Sequence, residues 1–319
     1  MNATPDTRYM EQLADTSFRP VFILGFPRSG TTILYRVLDK TGQFNVVTLY
    51  HVLYHDRLLS HFFNGGKQAA VDEISAYFER HGVDTREADS LSVGPCQPTE
   101  YGFMLPERGF PWNVTEKNSG RLSLLCKKIA FMAGNEQPVL LKNPFDFGNF
   151  VRVKRLFPNA RFVFIHRHPV DVLDSQMRGM RQIFRQKNDY LALIFGKYDE
   201  GYDNPLLRQF FRQVFSPYIP LGLFYLLQRN ARAGRYYVDN IDWLPAEDYV
   251  AVTYEELCRH PTETVSRILG HFDLDASFDA ERYIQPRDTD TAPRVRTLNG
   301  FICRRMRRYC RRLGYTLPG

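Results

Sequence analysis

No apolar run approaches the roughly 18 residues that a membrane-spanning helix requires, so no transmembrane span is expected. The first residues carry Asp6, Arg8, Glu11 and Asp15 where a secretion signal needs an apolar stretch, which points to a soluble cytoplasmic protein. Cysteines number only five (Cys96, Cys126, Cys258, Cys303 and Cys310) and none stands in C-x-x-C spacing, which argues against a disulfide framework and a zinc site. Sequence repeats and Gly/Ser- or Pro-rich linkers are also missing, so residues 1–319 read as one domain with insertions.

What is present is globular in composition. Of the 319 residues 44% are hydrophobic and 24% charged, which excludes disordered and low-complexity classes. Basic residues exceed acidic ones, 42 to 35, for a formal net charge of +7. That balance suits an anionic small ligand, a nucleic acid or a membrane surface without choosing among them.

Short β-branched and aromatic runs at residues 21–24, 139–141, 161–165 and 249–252, with a weaker one near 44–49, alternate with helical patterns. The helical stretches cover residues 31–40, 69–81, 121–133, 146–157, 169–185, 206–237 and 261–272. This order predicts an α/β fold, a P-loop-like doubly wound sheet, mainly parallel, with helical insertions. Such sheets bind ligands at the carboxyl ends of their strands, so the residues following each run carry the argument.

After the first run comes Gly25-Phe26-Pro27-Arg28-Ser29-Gly30-Thr31-Thr32, then a helical pattern. Glycines permit close backbone approach, the free N–H groups of Ser29 to Thr32 and the helix dipole face an anion, and Arg28 adds charge. A nucleotide-triphosphatase loop would need Lys after its second glycine, and Thr31 stands there, which disfavours ATP or GTP hydrolysis.

This segment resembles the sulfotransferases that use 3′-phosphoadenosine 5′-phosphosulfate (PAPS), whose P-R/K-S-G-T-T loop is matched by Pro27 to Thr32 at every position. The arginine form is closer to the bacterial and the tyrosyl-protein and carbohydrate enzymes than to the cytosolic aryl and steroid ones. The resemblance implies that Arg28, Ser29, Gly30, Thr31 and Thr32 hold the 5′-phosphosulfate. It also implies that Arg167, after the 161–165 run, and Ser175, eight residues on, hold the 3′-phosphate, and that adenosine 3′,5′-bisphosphate (PAP) is released. Chemically, a guanidinium can bind phosphate bidentately and a hydroxyl about two helical turns later can donate a further bond.

A third resemblance covers Val252 to Leu257 and offers Tyr254 as a nucleotide contact, set against a packed core tyrosine. The cytosolic branch's C-terminal R-K-G-x-x-G-D-W-K-N loop is absent. In its place the 294–319 tail carries Arg294, Arg296, Arg304, Arg305, Arg307, Arg308, Arg311 and Arg312.

Sulfuryl transfer requires charge stabilisation at the leaving oxygen and removal of the acceptor's proton, with no metal needed. Lys142, ending the 139–141 run, is the expected partner of the sulfuryl or bridging oxygen, against a surface lysine at a strand end. Glu100 in Pro98-Thr99-Glu100-Tyr101-Gly102-Phe103 resembles the family's base segment, with Thr99 replacing an acid, and an aromatic surround would raise its pKa. A structural loop glutamate stays open, and His51 and His55 are further candidate bases.

Residues 1–19 read as an N-terminal extension, and residues 184–237, dense in Tyr and Phe, as a helical insertion on the acceptor side or as plain core. The acceptor is a hydroxyl or amine of a small molecule, lipid, carbohydrate or peptide. From Phe301 to Arg312 the tail patterns as a basic amphipathic helix, readable as a solvated helix over the body or as a peripheral membrane contact. Rival readings are a P-loop kinase-like enzyme, a nucleic-acid binder using the tail, and a non-catalytic PAPS binder; nucleic acid ranks below the donor reading.

Overall fold

The computed structural model describes residues 4–85, 92–106, 112–195, 198–216, 218, 220–284, 295 and 297–316. Arg294 and Arg296 of the expected tail lie outside them.

The four strong runs form strands β1 (Pro20–Leu24), β3 (Val139–Lys142), β4 (Arg161–His166) and β5 (Tyr249–Thr253), and the weak run supplies a two-residue β2 (Asn45–Val46). All pair in parallel in the order β2-β3-β1-β4-β5, so β1 is central and the motif-bearing strands flank it. In register, Ile23 stands opposite Lys142, Leu24 opposite Phe164, and His166 opposite Thr253. The doubly wound expectation therefore holds, and the carboxyl ends of β1, β3, β4 and β5 share one edge.

Alternation along β1 explains the layers. Phe22 and Leu24 point to one face with Leu141, Phe162 and Phe164, while Val21 and Ile23 point to the other with Leu140, Val163 and Ile165. The second face is covered by α1 (Thr31–Lys40), α12 (Tyr254–Arg259) and α13 (Pro261–His271), through Leu34, Leu38, Leu257 and Ile268. The first is covered by α5 (Ser119–Ala133), α6 (Phe150–Leu156), α7 (Pro169–Arg185), α11 (Leu221–Asn240) and the tail. Each fully buried Phe, Leu or Ile adds roughly 1.5–3 kcal/mol of transfer free energy.

Three sequence readings need correction. The 44–49 run stops early because Thr48 caps α2 (Leu49–Leu53), accepting from the His51 N–H while its own N–H donates to His51 Nδ1. The 146–157 helix is a tight turn over Pro144–Asn149 followed by α6, broken at Gly148, whose φ of −86° and ψ of 23° are non-helical. The 206–237 helix divides into α10 (Pro205–Val214) and α11, with Pro220 at the entry to α11, where its missing N–H suits a helix start and not an interior.

The tail differs in continuity. Instead of one amphipathic helix it forms α14 (Asn299–Arg305) and α15 (Arg307–Arg312), broken at Met306. Ile302, Cys303, Met306, Tyr309 and Cys310 are buried in the main core, and arginines face outward, with Arg308 pairing Asp239 and Arg312 pairing Asp242. Among the described residues no helix is long and apolar enough to cross a membrane.

Candidate active site

The loop joining β1 to α1 is shaped by backbone necessity. A Cβ on Gly25 would stand 2.3 Å from the Ile165 carbonyl oxygen, and one on Gly30, at φ +101°, would stand 2.5 Å from the Tyr254 ring. Only glycine fits either place. Between them Arg28 adopts φ +74°, a left-handed conformation that costs an L-residue about 1–2 kcal/mol. Ser29 is fully buried and its hydroxyl has no hydrogen-bond partner among the described residues, an orphaned polar atom inside a loop whose α1 amides already favour an anion.

The second motif closes on this loop. β4 ends at His166, and Pro169, at the first position of α7, pre-sets the helix that carries Ser175 back toward β1. Arg28 Nε donates to Ser175 Oγ at 3.1 Å, and Arg167 Nη1 donates to the Arg28 carbonyl at 3.4 Å. The Arg167 guanidinium also lies 4.3 Å from the centroid of the Tyr254 ring, a cation–π contact. Tyr254 is aimed there by a capping box: the Thr253 hydroxyl accepts from the Glu256 N–H and Glu256 accepts from the Thr253 N–H, starting α12.

Lys142, expected at the crevice, is only 1% exposed. Its ammonium donates to Thr32 Oγ1 at 2.7 Å and to the carboxylate of Glu100, itself 5% exposed. The two carboxylate oxygens of Glu100 divide their partners, Oε1 meeting Lys142 and Oε2 meeting the Thr99 hydroxyl at 3.4 Å; Thr99 Oγ1 in turn lies 3.0 Å from the Tyr190 hydroxyl. The aromatic surround expected for Glu100 is thus replaced at its oxygens by a cation and a hydroxyl.

Asp146 was missed by sequence reasoning. Fully buried, it accepts from Tyr101 Oη at 2.7 Å, Asn143 Nδ2 at 2.7 Å, Asn149 Nδ2 at 3.0 Å and the Val114 N–H at 2.8 Å. Burial pushes its pKa up, opposed by these donors. It thereby ties the neighbour of Glu100 to the neighbour of Lys142. Glu255 was likewise missed: it accepts from the His168 N–H at 3.0 Å and from the Tyr315 hydroxyl at 3.2 Å, binding the end of β4 to the tail. Nothing local distinguishes either acid, since both matter through partners distant in the chain.

The histidines sit elsewhere. His51 serves the α2 cap, and burial lowers its pKa to about 4. His55 Nδ1 lies 3.1 Å from the carbonyl of Val52 in its own turn, and its backbone carbonyl accepts from Lys128 Nζ at 2.6 Å. Phe103 and Phe145, three residues beyond Glu100 and Lys142, meet the Trp112 ring edge to face, as does Phe195, at 4.8–5.7 Å between centroids. Of the insertion's aromatics, Tyr190, Tyr198 and Phe215 are buried, whereas Phe210, Tyr218, Phe224 and Tyr225 are exposed.

The fold agrees with solved enzymes. Sulfotransferase STF9 from Mycobacterium avium superposes with a TM-score of 0.64 at 15% identity, covering 98% of this chain and 81% of that one. STF1 from Mycobacterium tuberculosis H37Rv gives 0.57 at 15% identity, covering 94% and 79%. Comparison with curated proteins finds no sequence match. The sulfotransferase family model matches residues 20–279, from the first residue of β1 to beyond α13, and so takes in both arginine-bearing motifs and the Lys142 strand. This chain therefore belongs to the sulfotransferase family, and it is an enzyme of sulfuryl transfer.

Proposed function

We infer that the protein moves a sulfuryl group from PAPS to a hydroxyl or amine acceptor and releases PAP. The observation that carries this reading is the convergence of Arg28, Ser175, Arg167 and Tyr254 into one contact set, although Arg28 and Ser175 are 147 residues apart. Two guanidiniums beside one buried hydroxyl loop suit a nucleotide with anions at both ends. Arg28, Ser29, Gly30, Thr31 and Thr32 would hold the 5′-phosphosulfate, Arg167 and Ser175 the 3′-phosphate, and Tyr254 would pack against the nucleotide.

In the transfer the bond from sulfur to the bridging phosphate oxygen breaks and a bond from the acceptor oxygen or nitrogen to sulfur forms. Lys142 balances the charge that develops on the leaving oxygen, with Arg28 beside it. Glu100 accepts the acceptor's proton; its contact with Lys142 sets it one side chain away from Thr32 of the donor loop. His55, bonded within its own turn, is the weaker choice. The ring cluster of Phe103, Trp112, Phe145 and Phe195 gives the acceptor an aromatic wall. The tail turns Ile302, Met306 and Tyr309 inward and leaves Phe301 and its arginines outside, so contact with an anionic membrane would rest mainly on charge and would weaken in moderate salt.

The test compares thermal stabilisation by PAP, adenosine 5′-phosphate and ATP with Mg²⁺. A ligand at 100 times its Kd adds about 2.7 kcal/mol, a shift of a few degrees in a chain of this length. PAP alone should produce it. Stabilisation by ATP with Mg²⁺ instead, or by none of the three, would overturn the assignment of Arg167 and Ser175.

A further inference from the structure

Asn230 and Gly234 lie one turn apart on α11, Gly234 against Phe26 of the loop between β1 and α1 and Asn230 against Gln176, which reaches that loop. A Cβ on Gly234 would stand 3.3 Å from the Phe26 ring and 3.2 Å from Tyr309. Asn230 is 2% exposed and pairs reciprocally with Gln176 of α7, itself 6% exposed. Asn230 Nδ2 donates to Gln176 Oε1 at 2.9 Å, and Gln176 Nε2 donates to Asn230 Oδ1 at 3.3 Å. The second proton of Gln176 Nε2 goes to the Pro27 carbonyl oxygen at 2.9 Å.

The chemistry fixes the direction of each amide. A carbonyl only accepts, so Gln176 must present its NH₂ to Pro27, and Asn230 must then offer its oxygen to that NH₂ and its own NH₂ to Gln176 Oε1. Neither amide can turn over without setting oxygen against oxygen in a buried place. The peptide plane held in this way joins Pro27 to Arg28, and its orientation sets the φ of Arg28, which is +74°. A left-handed arginine persists only where its surroundings over-determine it.

We propose that the Gln176–Asn230 amide pair is a positioning device that fixes the Pro27–Arg28 peptide plane, and with it the aim of Arg28, and that it couples α11 to the donor loop. Both residues act through Pro27 without reaching the donor. The inference rests on reading residues 25–32 as the donor loop. It goes further in making α11, the last helix of the 184–237 insertion, a determinant of donor affinity.

The test uses the full chain and PAP as probe. Gln176→Glu keeps the side-chain shape but sets an acceptor against the Pro27 carbonyl; its Kd for PAP should rise about tenfold, with the loss in turnover falling mainly on the KM for PAPS rather than on kcat. Ile74→Ala, a cavity in α4 (Lys67–His81) remote from the loop, should lower Tm and leave the Kd for PAP unchanged. Should Gln176→Glu give no cooperative melt, Asn230→Ser carries the same comparison. Hydrogen exchange on the unaltered protein is independent of any variant: PAP should slow exchange over residues 223–234 as well as over the loop. Unchanged PAP affinity in the folded variants, or protection confined to the loop, overturns the coupling while leaving the donor reading intact. Failure of the unaltered protein to bind PAP overturns the donor reading, and this inference with it.

Discussion

At the scale of single residues, the buried Lys142–Glu100 pair concentrates the chemistry. Glu100→Gln retains the shape and removes the proton acceptor, so kcat should fall by about 10²–10⁴ while PAP affinity changes little; single-turnover measurement beside PAP titration checks it, and unaltered transfer would exclude Glu100 as base. Arg28 offers a second case because its backbone is strained. Arg28→Ala and Arg28→Gly both delete the guanidinium and should lose PAP binding alike, yet the glycine variant should be the more stable of the two by about 1 kcal/mol, since only glycine adopts φ +74° freely. Equal melting temperatures would mean that this conformation carries no strain. Arg28, Arg167 and Ser175 were legible in the sequence because their motifs are contiguous and follow recognisable strands. Asp146 and Gln176 were not, because Asp146 acts on Tyr101, 45 residues away, and Gln176 on Pro27, 149 residues away, and neither separation leaves a local pattern.

At the scale of elements, strands and capped helices were readable where physics is local. The five strands fall where the β-branched runs lie, and Pro169 and Pro261 open their helices as N-terminal prolines do. The divisions at Gly148 and Pro220 show the converse, since helical periodicity continues across a break that backbone chemistry makes. The tail differs only in continuity, two helices broken at Met306 in place of one; its amphipathic pattern reports an apolar face without naming what covers it, and here the core does, as the helix over the body required. The α12 cap gives the prediction belonging to this scale. Thr253→Ala should cost about 1 kcal/mol through the lost cap. Because the same turn carries Tyr254 over Arg167, PAP affinity should drop several-fold as well; calorimetric titration with thermal melting checks both, and a stability loss without any affinity loss would detach Tyr254 from the donor.

For the whole molecule, buried histidines tie stability to acidity, His166 more strongly than His51. His166, 1% exposed at the end of β4, faces the Tyr309 hydroxyl at 3.0 Å, and burial holds its pKa down at about 3. In the unfolded chain it protonates below about pH 6.5, whereas in the folded protein it stays neutral to about pH 3. The unfolded state therefore binds more protons across that window, and stability falls as pH drops through it, by about 1.4 kcal/mol per unit from this group. Melting temperature should decline from pH 7 to pH 5, and His166→Gln should flatten the decline; an equally steep decline in the variant would assign it to other groups.

The same contact sets an order of assembly. Tyr309 lies 143 residues beyond His166, and at a synthesis rate of about 5–20 residues per second those residues take about 7–30 seconds to make. During that interval β4 exists without the ring that closes over it, and Phe26, which Tyr309 meets at 5.1 Å, lacks its cover too. The edge of the sheet that carries both arginines is thus finished last, by a segment that supplies none of Arg28, Arg167 and Ser175. A nascent chain paused before residue 299 would hold all five described strands and both arginines, yet lack the ring that closes over His166 and Phe26.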